Sequence, residues 1–184
     1  NAWDINLDTS YGASAIENLH TNFFDMSNAD SAYMGFWQNR NTILGEDGFH
    51  VQYSVDTGKS WFYLNNSPGS QVNINWFPSG NLTSGSPGWS GLTVGSAGGW
   101  ENYQYSLHNG NFNPVTGGPF TKVMFKFVFR SNATVHSDGV SIDDFKIVNP
   151  DLYDVELFDI VQPPVRSDRL GCTMDIEEPV EIAV

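Results

Sequence analysis

Two adjacent carboxylates, Asp143 and Asp144, interrupt an otherwise apolar segment late in the chain. Strict strand alternation places Val140 and Ile142 on one face together with Asp144, whereas Asp143 falls on the opposite face with Phe145. The apolar phase therefore slips by one residue at the acids, which predicts either a strand covered on both faces or a β-bulge. In both cases we expect at least one carboxylate to point inward, where it needs hydrogen bonds, a positive charge or a metal.

Calcium is one candidate partner for this acid pair, because it accepts several oxygen ligands from carboxylates and backbone carbonyls. Asp138, just before the same strand, is grouped with Asp143 and Asp144 as a third candidate ligand for Ca²⁺. The competing interpretation is structural: the acids accept hydrogen bonds from loop amides at a bulge and bind no ion. The residue types leave both interpretations open.

Three tryptophans form a second candidate site. Trp76, Trp89 and Trp100 lie in or beside a stretch, residues 65–99, that is rich in Gly, Ser, Asn and Pro. Exposed indole rings stack on sugar faces, and neighbouring amides and hydroxyls bond to sugar hydroxyls. We predict these three as ligand-binding residues, against the alternative that they anchor a long loop on the domain. Exposure of Trp76 and Trp89 on one patch favours sugar binding, and burial of both favours a spacer.

The segment SVDTGKSW, residues 54–61, has the S-x-D-x-G-x-x-W spacing of the Asp box found in sialidase-like propellers. A propeller repeats this box in each blade, but it occurs once here and the chain is too short for that fold. We therefore predict a structural hairpin, in which Asp56 and Gly58 form the turn and Trp61 packs behind it.

Catalytic patterns are poor in this chain. The four histidines are scattered, no H-E-x-x-H zinc motif occurs, and GWSGL lacks the strand–turn–helix setting of a nucleophile elbow. Adjacent carboxylates on a strand point apart, whereas glycoside hydrolysis needs acids that face each other at about 5–10 Å. We predict that the chain is not an enzyme.

The charge of the chain restricts its expected partners. The formal net charge is −13, from 21 acidic and 8 basic residues. Because phosphate binding needs clustered Lys and Arg, nucleic acid is not an expected partner. No stretch approaches the roughly 20 apolar residues of a membrane span, so direct membrane insertion is not expected either. The single cysteine, Cys172, has no partner for an intrachain disulfide.

Several segments alternate apolar and polar residues, as strands with one buried face do. The pattern occurs at 49–55, 101–107 and 122–130, and the aromatic-rich segments 31–39 and 61–64 also indicate strands. No long segment has a helical period, and clusters of Gly, Asn, Pro and Ser separate the strands. We therefore predict an all-β fold, a jelly-roll β-sandwich.

The composition shifts near VNPD, residues 148–151, where we place a domain boundary. Residues 1–149 hold 12 acidic and 6 basic side chains, net −6, and residues 150–184 hold 9 and 2, net −7. We predict a first domain over 1–149. Because a segment as short as 150–184 cannot close a sandwich, we interpret it as a linker and the first strands of a second β-domain.

A family resemblance covers residues 1–148. The segments AIENLHTNFFDMSN, AYMGFW, GEDGFHVQYSVDTGKSWFYL, GWSGL with GGWENYQYSL, and KVMFKFVFRSNATVHSDGVSIDDFKI occur in that order. They resemble the MAM-like jelly-roll domains common in large secreted proteins of Bacteroidota. The tail, with DVELFDIVQPP and GCTMDIEEPVEIAV, resembles the opening of the Ig-like repeats that often follow such domains.

The resemblance implies a MAM/concanavalin-like jelly roll, export to the bacterial cell surface, often by the type IX route, and a role in adhesion or recognition. MAM-like domains often hold a metal ion near the matching acid pair, here Asp143 and Asp144. The family usually has an earlier strand with an acidic residue of its own. This chain is expected to lack that strand, which would leave an open sheet edge.

Our leading hypothesis is a non-catalytic recognition or spacer module of a large, multidomain bacterial surface adhesin, stabilised by calcium, with an extracellular glycan or protein as its ligand. The alternative is a carbohydrate-binding or accessory module of a secreted hydrolase or protease. The fold does not decide between them. An enzyme in its own right is the weakest option, because it needs a cleft that gathers His and acidic residues.

Overall fold

The computed structural model describes residues 2–5, 10–27, 32–65, 73–76, 82, 84–93, 99–107 and 122–149. Within these residues the chain is all-β, with nine strands and no helix. The strands are β1 (Trp3–Asp4), β2 (Ile16–His20), β3 (Tyr33–Asn41), β4 (Gly48–Ser54), β5 (Phe62–Tyr63), β6 (Trp89–Ser90), β7 (Glu101–Ser106), β8 (Met124–Arg130) and β9 (Gly139–Val148). Accordingly, no described segment is an apolar helix of membrane-spanning length.

The strands form two antiparallel sheets. One has four strands in the order β1-β9-β3-β7, and the other has the order β2-β8-β4-β5 with β6 paired to β4. Aromatic side chains join the sheets: the ring centroid of Phe36 on β3 lies 6.4 Å from that of Phe49 on β4 and 5.2 Å from that of Phe127 on β8. The predicted all-β sandwich is confirmed, in a jelly-roll-like arrangement.

Strand alternation builds the core as the sequence predicts. On β8, Phe125, Phe127 and Phe129 are each at most 1% exposed, and on β7 Tyr103 and Tyr105 are buried in the same way. Large aromatic side chains bury about 150–250 Å² each and dominate the energy of such a core. The inner faces of the two sheets are therefore fixed by residues that recur every second position.

Strand β4 departs from the expectation of one buried face. Phe49, Val51 and Tyr53 line the core, but His50 and Ser54 on the opposite face are also fully buried. A neighbouring turn partly explains this: a Cβ on Gly48 would lie 3.2 Å from the side chain of Leu82 and 2.0 Å from a backbone oxygen of Trp89. Close packing on the outer side of β4 therefore covers positions that the sequence pattern marks as polar.

The four-stranded sheet contains a short strand, β1, near the start of the described residues, and the absence of the family's earlier strand stays a prediction. β1 pairs with β9 in antiparallel register, with Asp4 opposite Ser141. The hydroxyl of Ser141 donates a 2.8 Å hydrogen bond to Asp4 Oδ2. The chain just after β1 comes so close to the start of β9 that a glycine is needed there, because a Cβ on Gly139 would lie 2.3 Å from Ile5 Cγ2. An acidic residue therefore does precede the acid pair on a neighbouring strand.

The chain divides into two compact units, Asn1–Asp151 and Leu152–Val184. The predicted linker and Ig-like strands over 150–184, with Cys172, lie outside the described residues.

Candidate functional site

The outer face of the four-stranded sheet, which points away from the core, carries an exposed tryptophan. On β3, Met34, Phe36 and Gln38 are fully buried, so alternation turns Trp37 to the other side, where it is 41% exposed. Because β3 lies between β9 and β7, the indole ring is in the middle of the face and not at its edge. Large apolar side chains at such a position are candidates for ligand contact.

Polar side chains border this ring on both neighbouring strands. Asn102 on β7 and Asp143 on β9 are the direct cross-strand partners of Trp37. Residues directly opposite each other have Cβ atoms about 4.5–5.5 Å apart. The side-chain amide of Gln104 donates a 3.2 Å hydrogen bond to Asn102 Oδ1, which orients both amides on the same strand. Trp37 is thus flanked by amides on one side and a carboxylate on the other.

Trp100, one of the three tryptophans predicted to bind ligand, is 45% exposed and immediately precedes β7. Tyr103 is buried and Asn102 faces outward, so the same alternation carried back to residue 100 puts its side chain on the outer face. Extending the register by one pair places Trp100 opposite Asn39, diagonal to Trp37. Diagonal neighbours are about 7–8 Å apart, so the face holds two exposed indoles.

A glycine on the same strand as Trp37 makes room for the stem of a lysine. Gly35 precedes Trp37 by two positions on the same face of β3, and a Cβ there would lie 3.3 Å from Lys146 Cε. The aliphatic part of the lysine therefore covers the glycine, while its ammonium group remains toward solvent. We refer to this surface as the Trp37 face, made of Trp37, Trp100, Asn102, Gln104, Asp143 and Lys146.

The acid pair forms a β-bulge. The β3–β9 pairing shifts register between Gly35, which is opposite Lys146, and Trp37, which is opposite Asp143. Asp144 is exposed and has a φ of 51°, in the left-handed region that Asp tolerates better than most residues. Its N–H donates a 2.8 Å hydrogen bond to Asp143 Oδ1. Of the two sequence alternatives for the phase slip, the bulge is the one found, and it includes a carboxylate that caps a backbone amide.

The bulge returns the apolar residues of β9 to one side. Val140 and Ile142 are buried in the core, and Phe145 and Ile147 pack against the same core. The ring of Phe145 contacts that of Phe127 with centroids 5.6 Å apart. The expectation of an inward carboxylate is therefore corrected, because the extra residue absorbs the phase slip and leaves both acids on the solvent side.

The predicted three-residue calcium set does not converge. Asp138 is exposed, accepts a 2.8 Å hydrogen bond from the side-chain amide of Asn41, and lies five residues before Asp143. At about 3.3 Å per residue this separates the two by roughly 17 Å of strand. In the described residues no three or more His, Cys, Asp or Glu side chains form a group that could hold a metal. Calcium at the acid pair stays a prediction, and the register makes Asp4 the neighbouring acid, since it is opposite Ser141.

Trp76 and Trp89 are core residues, which corrects their assignment as ligand-binding residues. They are 6% and 5% exposed, and their ring centroids lie 4.8 Å apart. Trp76 Nε1 donates to the backbone oxygen of Leu64 at 2.8 Å, and Trp89 Nε1 donates to that of Asn75 at 3.0 Å. Because both indole N–H groups find backbone partners, the rings are buried without an unsatisfied donor. They anchor the turn-rich segment and are closed to a sugar. By the criterion set in the sequence analysis, their burial favours a spacer, so a sugar-binding function has to depend on other residues.

The Asp box is the structural hairpin that the sequence predicts. Asp56 Oδ1 accepts hydrogen bonds of 2.8 Å from the Ser60 N–H and the Ser54 hydroxyl, and Gly58 has a φ of 87°. The Ser60 N–H stabilises the carboxylate and lowers the pKa of Asp56 to about 2. A Cβ on Gly58 would lie 3.6 Å from the ring of Trp61, which packs behind the turn.

Sequence reasoning missed Trp37, because the aromatic run around it reads as a buried strand. The signal was present in the phase: Met34 and Phe36 occupy one face, so the following Trp falls on the other. Together with Trp100, it forms an aromatic surface with amide, carboxylate and ammonium groups around it. Such a surface can stack against the apolar face of a ring and bond to hydroxyl groups.

No protein-family model matches the chain, and no curated protein matches it. The binding function proposed below therefore depends on the geometry of the described residues, and its setting depends on the sequence resemblance alone.

Proposed function

We propose that the chain is a non-catalytic recognition module that binds glycans on the Trp37 face. The observation that carries this proposal is the 41% exposure of Trp37 at the centre of the sheet, directly between Asn102 and Asp143. A pyranose ring presents an apolar C–H face to an indole, while its hydroxyl groups reach the flanking amide and carboxylate. Trp37 provides the ring for stacking, and Asn102 and Asp143 provide the polar groups for the hydroxyls.

The dimensions of the face favour an extended ligand over a single sugar. With the β3–β7 register extended by one pair, Trp100 is diagonal to Trp37, so two rings of one chain can be stacked at once. Once one sugar unit is bound, the next unit of the same chain is held close to the second ring at a high effective concentration. A polysaccharide should therefore bind more tightly than its monosaccharide.

The setting that we propose is the surface of a bacterium, where the module belongs to a large extracellular adhesin. This part of the proposal is supported by the resemblance of residues 1–148 to MAM-like domains of secreted proteins. The negative net charge fits a partner that is not a nucleic acid. The acidic groups next to Trp37 favour neutral glycans on this face.

The test is affinity electrophoresis of the protein through gels that contain neutral soluble polysaccharides, with pull-down on insoluble ones. We expect Trp37→Ala to weaken binding about tenfold or more, which corresponds to roughly 1.4 kcal/mol. Trp100→Ala should weaken it as well. Leu44→Ala is the matched control, because Leu44 is 77% exposed and lies outside the Trp37 face. Unchanged binding by Trp37→Ala, or no retardation of the wild type by any glycan, would instead support a spacer.

A further inference from the structure

Strand β2 is an open edge of the five-stranded sheet. It pairs with β8 on one side, and in the part of the chain that the structure describes no strand pairs with its other side. Thr21, just after β2, donates its N–H to the carbonyl of Phe125 at 3.0 Å. Because backbone groups alternate in direction along a strand, those of Ile16, Asn18 and His20 point away from the sheet. All three residues are exposed, Ile16 to 56%, so the edge is open to solvent.

Strand β7, an edge of the other sheet, is closed by comparison. Ile74 and Gln104 exchange two backbone hydrogen bonds of 3.0 and 3.1 Å, and the side chain of Asn75 donates to the carbonyl of Asn102 at 3.0 Å. Edges that stay open usually carry a lysine, a proline or a bulge that prevents pairing with another strand. β2 has none of these, and its one acidic residue, Glu17, lies near one end. It is therefore able to accept a further strand.

The charge around β2 differs from that of the chain as a whole. The chain has 21 acidic and 8 basic residues, whereas β2 and β8 together hold one acid, Glu17, and two bases, Lys126 and Arg130. Charges farther apart than about 8 Å are largely screened at physiological salt. Two copies of this acidic chain can therefore approach each other along β2 without strong local repulsion.

We propose that two copies of this chain pair along β2, antiparallel and about a two-fold axis at Asn18, so that their five-stranded sheets become one continuous sheet. In this register Asn18 is opposite Asn18 of the other copy, and Ile16 is opposite His20 of the other copy. The backbone groups of all these residues point outward, so each pair exchanges two hydrogen bonds. An axis at Glu17 would place two carboxylates directly opposite each other, which is destabilising. An axis at Leu19 would leave Ile16 outside the strand pair.

A second copy is favoured over a foreign strand because a two-fold pair uses the same open edge on both molecules and leaves neither edge free. Stable interfaces bury about 1,200–2,000 Å² in total, and the pairing of one short strand buries less, so we expect a weak dimer. The pairing goes beyond the proposed function, because it depends on neither Trp37 nor a glycan.

Sedimentation equilibrium of the full chain, from about 10 μM to about 1 mM at physiological salt, measures the pairing. We expect the average mass of the wild type to rise with concentration towards that of a dimer. Asn18→Pro should remain monomeric, because proline removes an N–H that points outward and that the monomer does not use. Circular dichroism checks the fold of this variant. Asn18→Ala is the matched control, because it keeps the N–H and should still pair.

Charge substitutions at the axis test the register. Asn18→Lys alone and Asn18→Asp alone each place like charges opposite each other, and each should weaken association by up to about fivefold. An equal mixture of the two variants should recover the association of the wild type, because opposite charges then face each other. No recovery in the mixture would overturn the axis at Asn18.

Two further results would overturn the proposal. A wild type that stays monomeric at about 1 mM excludes a second copy and leaves a foreign strand as the alternative occupant of the edge. Trp37→Ala should keep the pairing, so a loss of association in that variant would assign the contact to the Trp37 face. Glycan binding and pairing along β2 can therefore fail separately.

Discussion

Trp37 on β3 lies directly opposite Asp143 on β9, and a one-residue bulge keeps them together. If the ladder were regular, Phe145 would be opposite Gly35, on the solvent side. The inserted residue instead returns Phe145 to the core, where it packs against Phe127, and leaves Asp143 beside the exposed indole. The bulge therefore explains why two acids stand together on β9, and it also places the Asp143 carboxylate next to Trp37.

Tryptophan substitutions should separate core from surface roles. Trp89→Ala removes a ring that is 5% exposed and stacks on Phe49 at 4.8 Å, so it should destabilise the fold by about 3–5 kcal/mol. Trp37→Ala should cost less than about 1 kcal/mol, since much of that ring is already in water. Urea unfolding followed by circular dichroism measures both. A large loss in Trp37→Ala would mean that this ring serves the fold and not a ligand.

The bulge predicts opposite effects for two substitutions at one position. Asp144 has a φ of 51°, which glycine adopts freely and a β-branched residue does not. Asp144→Gly should therefore be neutral or stabilising by up to about 1 kcal/mol, and Asp144→Val should destabilise by about 1–3 kcal/mol. Thermal melts of the two variants against wild type provide the comparison. Equal stabilities would contradict a strained backbone at this site.

The strands of this domain were predictable where alternation is strict. Phe125, Phe127 and Phe129 specify the inner face of β8, and β4 and β7 follow the same rule. The phase slip at Asp143 also predicted the bulge, as one of two alternatives. Alternation identifies the face of a strand that packs in the core. It does not show whether other residues also cover the opposite face, and for that reason the burial of His50 was missed.

The candidate site was harder to predict for a different physical reason. Trp76 and Trp89 lie among turn residues that suggest an exposed loop, yet backbone carbonyls satisfy their N–H groups and allow full burial. Local composition does not report such long-range partners. The short β1 strand has only two residues, too few for a periodic signal, so Asp4 was missed as well.

Calcium binding at the acid pair predicts different effects for substitutions of three acidic residues. If Ca²⁺ binds with a dissociation constant of ~10 μM, millimolar calcium should add about 2.7 kcal/mol of stability over a chelator. Asp143→Asn should remove this gain, and Asp4→Asn should reduce it, since Asp4 is two positions away across the β1–β9 pair. Asp138→Asn is the control, because Asp138 is bonded to Asn41 at the start of the strand. Melts that coincide with and without calcium would leave Asp143 as a bulge cap alone.

The burial of His50 predicts a loss of stability at mildly acidic pH. The folded state lowers the pKa of His50 from 6.5 to about 4, chiefly by desolvation and then through Arg130 and Lys126. The unfolded state therefore binds the proton more tightly. The contribution of the neutral ring is complete above about pH 6.5 and declines as the pH falls toward 4, by roughly 3 kcal/mol in all.

Urea unfolding at intervals from pH 7.5 to 4.5 measures this decline in the free energy of unfolding. His50→Gln should flatten the curve over that range, because glutamine carries no titrating ring. Asp56, whose pKa is lowered to about 2 by hydrogen bonds, contributes a separate decline below about pH 4. A slope that is the same in His50→Gln as in wild type would assign the pH dependence to other groups.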